Sequence, residues 1–400
     1  MTGRYSRRGP ATPASSSAKR HVNVRSPGRH ASDDLVRLRP VILGKGGFAR
    51  PNDVMPEPRA PRRRGLVGPL VVVLVMLTAA YAVPASIAGT AQIVLPAVDT
   101  ARVVPMGVYH GPGNTSAVAL FEQRLGRNVE LAHDYLDKRS WKRMTNVGWM
   151  TKRWAAAGFS GRMVYTIPMV PDTGGSLKQG AAGRYNQHFR LLARRLVAGG
   201  QGNATVRIAP EFNGKWFKWT MDVPDGGALY ARFWRQIVMT MRAVPGANFK
   251  FDWAVNAGSA WIDHGKRQLR AATAYPGDDV VDYVGMDVYD QSWAPHRKSP
   301  TKRWKEFVNQ VDGLNWQARF AAAHDKPMSI PEWGLVRRTD GHGGGDNPYF
   351  ISQMHNWIQT HQIAYHVYFE SIDPNAVYGV FSGGFPRAAK SFVQFFGTGA

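Results

Sequence analysis

Between Val103 and Phe369 short apolar runs alternate with longer amphipathic stretches, and the two patterns predict different elements. Runs at Val103–Tyr109, Val129–Ala132, Met163–Pro168, Thr205–Ala209, Phe249–Val255, Val281–Val288, Pro327–Ile330 and Tyr365–Phe369 read as strands. Arg184–Val197, Ala228–Ala243, Arg303–His324 and Asn347–Gln362 read as helices between them. Strand-then-helix alternation means a parallel sheet built from βα units. Eight strands within roughly 300 residues fit an α/β fold of the (β/α)8 TIM-barrel class. A doubly wound open sheet is the alternative, but no glycine-rich dinucleotide fingerprint follows any strand.

The pattern is different before residue 102. Residues 1–64 carry 15 Lys+Arg against four acids, are rich in Pro, Ser and Gly, and show no sustained apolar period. Such a stretch buries too little apolar surface to offset its ordering entropy, so it reads as a disordered basic tail. After Arg62-Arg63-Arg64 no charged residue occurs from Gly65 to Val98. The apolar run is long enough to approach the roughly 20 residues that cross a bilayer. The predicted organisation is therefore a cytoplasmic tail (1–64), a transmembrane anchor (65–88), a linker (89–101) and one large barrel domain (102–400). The arginine triplet predicts a single-pass protein of the cell membrane, N-terminus cytoplasmic and barrel extracellular. A cleavable signal peptide is the competing reading, but the tail is far longer than an ordinary n-region.

That division changes the meaning of the charge. The chain has 400 residues and a formal net charge of +23. The tail supplies nearly half of it, and beside an apolar span it is expected to contact anionic lipid, not nucleic acid. There is no cysteine, which excludes disulfides, thiolate-bound zinc and a cysteine nucleophile.

In a barrel of this class the chemistry sits at the C-terminal ends of the strands. Asp134, Glu211, Asp287, Asp290, Glu332 and Glu370 all fall at such ends. A single one reads as a salt-bridge partner, whereas a ring of them reads as a site. Glu211 and Glu332 follow the fourth and seventh strands, which face one another across a barrel mouth. Paired carboxylates about 5–5.5 Å apart suit a retaining glycosidase, one kept protonated and one ionised. Arg207 lies on the face of Glu211 and is placed to hold a neighbouring carboxylate charged.

The segments RIAPEFNGKWFKW (207–219) and KPMSIPEWG (326–334), with GVYHG (107–111) and VGMDVYD (284–290), resemble glycoside hydrolase family 26. The resemblance spans roughly residues 102–397. It implies a clan A retaining endo-β-glycanase, chiefly of β-mannanase or β-glucanase type. It implies Glu211 as acid/base, Glu332 as nucleophile, and Tyr289 as hydrogen-bond partner of the nucleophile. Family mannanases usually carry His before the acid/base, whereas this chain has Pro210, which has no N–H to donate.

Further substrate-binding candidates are Trp216, Trp219, Trp333, Trp253, Asn213, His110 and Asp134, each near a strand end. Flat aromatic rings suit the apolar faces of pyranoses, while ordinary barrel packing is the alternative for any one tryptophan. No cofactor is expected, and no metal, since no HExxH pattern occurs among the 12 histidines. A Ser-His-Asp triad is disfavoured, because His133 and Asp134 are adjacent on a strand and point to opposite faces. The expected partner is an extracellular β-linked polysaccharide, cut by a monomer. The alternative is a catalytically weak glycan-binding module on the same barrel.

Overall fold

The computed structural model describes residues 103–262, 267–293 and 299–398. Eight strands run in parallel: β1 (Met106–Tyr109), β2 (Leu131–Tyr135), β3 (Arg162–Ile167), β4 (Thr205–Ile208), β5 (Lys250–Asn256), β6 (Tyr283–Tyr289), β7 (Met328–Gly334) and β8 (Ile363–Phe369). Each pairs with its sequence neighbours, and β8 closes onto β1 with Met106 opposite His366, so the sheet is a closed barrel. The eight-stranded expectation from the apolar runs agrees with this element for element.

The helical layer departs from a strict repeat at two places. Between β5 and β6 the described residues form a short hairpin (Trp261–Ile262 with Arg267–Gln268) and one 3-10 turn, Ala271–Ala274, in place of an α-helix. The single helix expected over Arg303–His324 is two, Pro300–Asn309 and Leu314–Ala323. The break falls at Asp312, whose φ is +52°, a conformation a helix cannot contain. Its carboxylate accepts bonds from the Ser259 hydroxyl and the Ala271 amide, so the break ties down the loop after β5.

Local chemistry explains the helix starts. Ser140 and Ser176 cap short helices by accepting from Arg143 and Gln179 amides. The helices after β6, β7 and β8 each begin with proline in the first turn, where its missing N–H loses nothing.

Alternation along the strands sorts the side chains into two cores. Outward residues pack under the helices in one large cluster, which includes Met163, Val206, Phe251, Trp253, Val255 and Trp333. A smaller inner cluster of Tyr109, Leu131, Val164, Tyr365 and Val367 fills the barrel. The rest of the interior is polar: His133, Thr166, Arg207, Asp252, Asp287 and Ser329 are all buried there.

Among the described residues no helix is long and apolar enough to cross a membrane. The predicted tail (1–64), anchor (65–88) and linker (89–101) lie outside the described residues.

Candidate active site

The chain leaves β4 through a bend in which Ala209 (φ +42°) and Glu211 (φ +57°) both occupy the left-handed region, flanking Pro210. Such residues are strained and persist only when their surroundings fix them. Here the Ala209 amide donates to the Ile167 carbonyl (2.7 Å) and the Glu211 amide to the Ala254 carbonyl (3.1 Å). The Tyr230 hydroxyl donates to the Ala209 carbonyl (2.9 Å), and the Trp219 indole to that of Pro210 (2.8 Å). The bend delivers the Glu211 carboxyl to the barrel mouth, where the Trp216 indole N–H donates to its Oε2 at 2.7 Å.

Glu332 arrives from the opposite wall through a different irregularity. Gly285 pairs with Ser329, but Asp287 pairs with Glu332, so β7 holds one extra residue around Pro331. This β-bulge puts Ser329 and Glu332 on the same inner face although they are three apart. Pro331 is tolerated there because a bulge leaves one residue outside the ladder.

Three donors converge on Glu332. Arg207 Nη1 approaches Oε2 at 2.8 Å, the Tyr135 hydroxyl binds the same oxygen, and the Tyr289 hydroxyl reaches Oε1 at 2.5 Å. Arg207 is fully buried and is itself held by Asp287 through Nη2, and by the Thr166 hydroxyl at 3.1 Å. Thr166 shares a 2.7 Å bond with His133 Nε2, and the imidazole stacks on Tyr135 with ring centres 4.6 Å apart. Burial and the Arg207 charge pull the His133 pKa well below its ordinary value, so it is a neutral spacer.

The two glutamates differ electrostatically. Burial, then the Glu332 charge, pushes the Glu211 pKa up to about 7, against the opposing pull of the Trp216 N–H and Arg207. Glu211 therefore carries a proton at a pH where an ordinary carboxyl does not. Tyr109, Tyr289, Phe369 and Tyr378 form an aromatic collar around the pair: Phe369 stacks on Tyr109 at 4.9 Å, and Tyr378 lies 5.0 Å from Tyr289.

Several other predicted binding residues lie elsewhere. Trp333 follows Glu332 on the strand and so points outward, fully buried against Phe350, Phe392 and Phe396. Trp253 likewise faces the helices, against Phe320 and Tyr275, with no exposed surface. Trp219 is buried, stacks on Phe217 at 4.4 Å and supports the Pro210 bend. Asn213 is buried too, and its side chain clamps the Asn256 amide and carbonyl at the end of β5. Asp134 faces outward and binds the Trp154 indole (2.6 Å) and the Gly113 amide (2.8 Å), which fixes the loop after β1. These five are corrected from substrate contacts to supports. Trp216 remains 44% exposed beside Glu211, and His110 lies half-buried at the end of β1.

Of the residues that hold Glu332, Tyr135 was missed as a site residue. The available signal was its position, two residues after His133 and hence on the inner face of β2.

A closed parallel barrel with two glutamates converging at the mouth has the architecture of a glycoside hydrolase. The sequence model of glycosyl hydrolase family 26 matches residues 201–330, from the approach to β4 into β7. Endoglucanase H of Acetivibrio thermocellus is 26% identical over 259 residues, 61% of this chain. The chain spans 25% of that relative's length. A modular endo-β-1,4-mannanase from Cellulomonas fimi superposes with a TM-score of 0.52 at 18% identity, covering 73% of this chain and 70% of its own. GH26C from Muricauda sp. gives 0.52 at 14% identity, covering 74% of this chain and 86% of its own. These two likenesses concern the fold. The chain thus resembles glycosyl hydrolase family 26 over residues 201–330.

Proposed function

We propose that the barrel is a retaining endo-β-glycosidase that hydrolyses a β-linked polysaccharide by double displacement. Glu211 gives its proton to the glycosidic oxygen while a Glu332 oxygen attacks the anomeric carbon, so the C–O bond to the leaving sugar breaks. The product is a glycosyl ester on Glu332. Glu211, now a carboxylate, takes a proton from water as that water attacks the anomeric carbon. The ester bond to Glu332 breaks, and the sugar leaves with its original configuration.

The observation that carries this reading is the electrostatic division of the pair. Glu211 is half-buried and raised to about 7, while Glu332 sits among one guanidinium and two hydroxyl donors. Glucan and β-1,4-mannan are the first polymers to test, since the relatives above are named for cleaving such chains. The basic tail and the apolar span support a membrane-anchored enzyme whose barrel works outside the cell.

Pro210 favours a second reading, a glycan-binding module with weak turnover, because that position has no N–H or polar side chain to offer a sugar. Reducing-end release by the full chain in mild detergent, over a polysaccharide panel, separates the two. Turnover lost in both Glu211→Ala and Glu332→Ala supports the hydrolase. Binding without turnover in the wild type supports the module.

A further inference from the structure

From Lys138 to Pro210 the sequence holds 13 Lys+Arg and a single acid, Asp172. The structure gathers most of these cations on one side of the barrel, over the loops and helices that follow β2 and β3. Asp137 and Asp172 neutralise Arg139, Arg143 and Lys138. The side chains of Lys142, Lys152, Lys178, Arg184, Arg190 and Arg194 are exposed and have no hydrogen-bond or ion-pair partner among the described residues. A solvated charged face ordinarily mixes both signs evenly; here Asp137, Asp172, Asp222 and Asp225 are present, Asp225 beside Lys178, but the cations outnumber them.

Position gives the patch its meaning. Lys142 and Lys178 lie in segments directly after the C-terminal ends of β2 and β3, and Arg184 just beyond. Lys218, exposed and unpartnered, lies in the loop after β4, seven residues past Glu211. The cations therefore form an arc on the rim of the mouth that holds Glu211 and Glu332. The arc continues to the β1 loop through Arg153, whose guanidinium lies 5.5 Å over the exposed ring of Trp149. Arg153, Gly113 and Asn114 there line a surface groove of about 330 Å3. Among the described residues after β6, β7 and β8, Arg303 pairs with Asp290, Arg338 with Asp340, and Arg387 with Asp346.

We infer that the cleft takes an acidic polysaccharide, whose anionic substituents lie along the basic arc formed by the loops after β2, β3 and β4. This rests on the glycosidase reading of the same cleft and narrows its substrate class. Guanidinium forks and ammonium groups complement carboxylate or sulfate, and an exposed tryptophan beside them suits a pyranose face. Other occupants fit less well. The chain's own N-terminal segment is itself basic, as is a second copy, so both are repelled. A bilayer laid on this rim would cover the mouth that a polymer must enter.

The test is affinity electrophoresis of the full chain in mild detergent, through gels containing polygalacturonate, dextran sulfate or neutral mannan. Anionic phospholipid vesicles and duplex DNA serve as competitors. The wild type is expected to bind an acidic polymer at least about tenfold more tightly than mannan, less so at high salt. Polygalacturonate against dextran sulfate tells carboxylate from sulfate recognition. The rim variant K142E/K178E/R184E/K218E is expected to lose this preference. R190E/R194E, which alters the flank below the rim, is expected to keep most of it. Melting temperatures near wild type establish that both variants fold.

Retardation that is absent, equal in the rim variant, or equally lost in the flank variant overturns the inference. So does tighter binding of vesicles or DNA than of either acidic polymer. Turnover of neutral glycans without acidic retardation removes this inference and leaves the glycosidase standing. Acidic retardation with no turnover of any glycan removes the glycosidase and leaves an acidic-glycan-binding cleft.

Discussion

Nη1 of Arg207 lies 2.8 Å from Oε2 of Glu332, while Nη2 of the same guanidinium binds Asp287. One buried cation thus joins two carboxylates on adjacent strands, and its planar fork sets where the proposed nucleophile stands. Breaking such a buried arrangement typically costs about 3–5 kcal/mol, because charges are left unpaired. Arg207→Met is expected to lower the urea midpoint sharply and abolish turnover. Arg207→Lys keeps the charge but not the fork, and is expected to lose about 100-fold in kcat/KM while remaining folded. Wild-type kcat/KM in Arg207→Lys would end the positioning role.

The pH profile follows from Glu211. The proposed acid must be protonated, and its pKa is pushed up to about 7 by burial and the Glu332 charge. kcat/KM should therefore fall as pH rises through about 7. The Trp216 N–H opposes that upward shift by binding the carboxylate. Removing it in Trp216→Phe should move the alkaline limb to higher pH, while a ring remains for stacking. A limb that stays put, or moves down, contradicts the acid role.

The same raised pKa makes a statement about stability. A carboxyl with a folded pKa above its unfolded value holds its proton better when folded. Its contribution is full below the ordinary pKa near 4.5 and is lost as pH rises through about 7. Asp134, raised to about 7 by burial, and Asp252, raised to about 6, act in the same direction. Glu211→Gln mimics the neutral form at every pH. Denaturation should find it equal to wild type near pH 4 and more stable at pH 8. The gain is expected on the order of 1–2 kcal/mol after discounting for partial exposure. Equal stability at pH 8 would mean the carboxylate is not strained.

Strand count and order were legible because a parallel barrel buries its strands on both faces, leaving apolar runs that stand out between amphipathic segments. Glu211 and Glu332 were legible because each is a charge placed at the end of such a run. What lay hidden was phase. Trp333 looks like a cleft residue because it follows Glu332, yet strand alternation turns it to the helices. The bulge at Pro331, which brings Glu332 inward, leaves no periodic signal across two residues of sequence. The bend at Ala209 and Glu211 is equally silent, because nothing local favours left-handed backbone in non-glycine residues; long-range bonds from Tyr230 and Trp219 impose it. The 3-10 turn that precedes β6 among the described residues and the break at Asp312 are tertiary for the same reason.

The contrast between Trp333 and Trp216 gives a final test of that phase. Trp333 is fully buried beneath the helices, and truncating a buried aromatic costs about 3–5 kcal/mol. Trp333→Ala should lower the melting temperature severely; in the folded fraction, KM for a glycan should be near wild type. Trp216 is 44% exposed at the mouth, and its indole binds Glu211. Trp216→Ala should change stability by less than about 1 kcal/mol and reduce kcat/KM at least tenfold. Thermal melts and initial rates on one soluble polymer read both variants. The reverse pattern, a stable Trp333→Ala with impaired binding, would place that ring in the cleft and undo the inward phase assigned to Glu332.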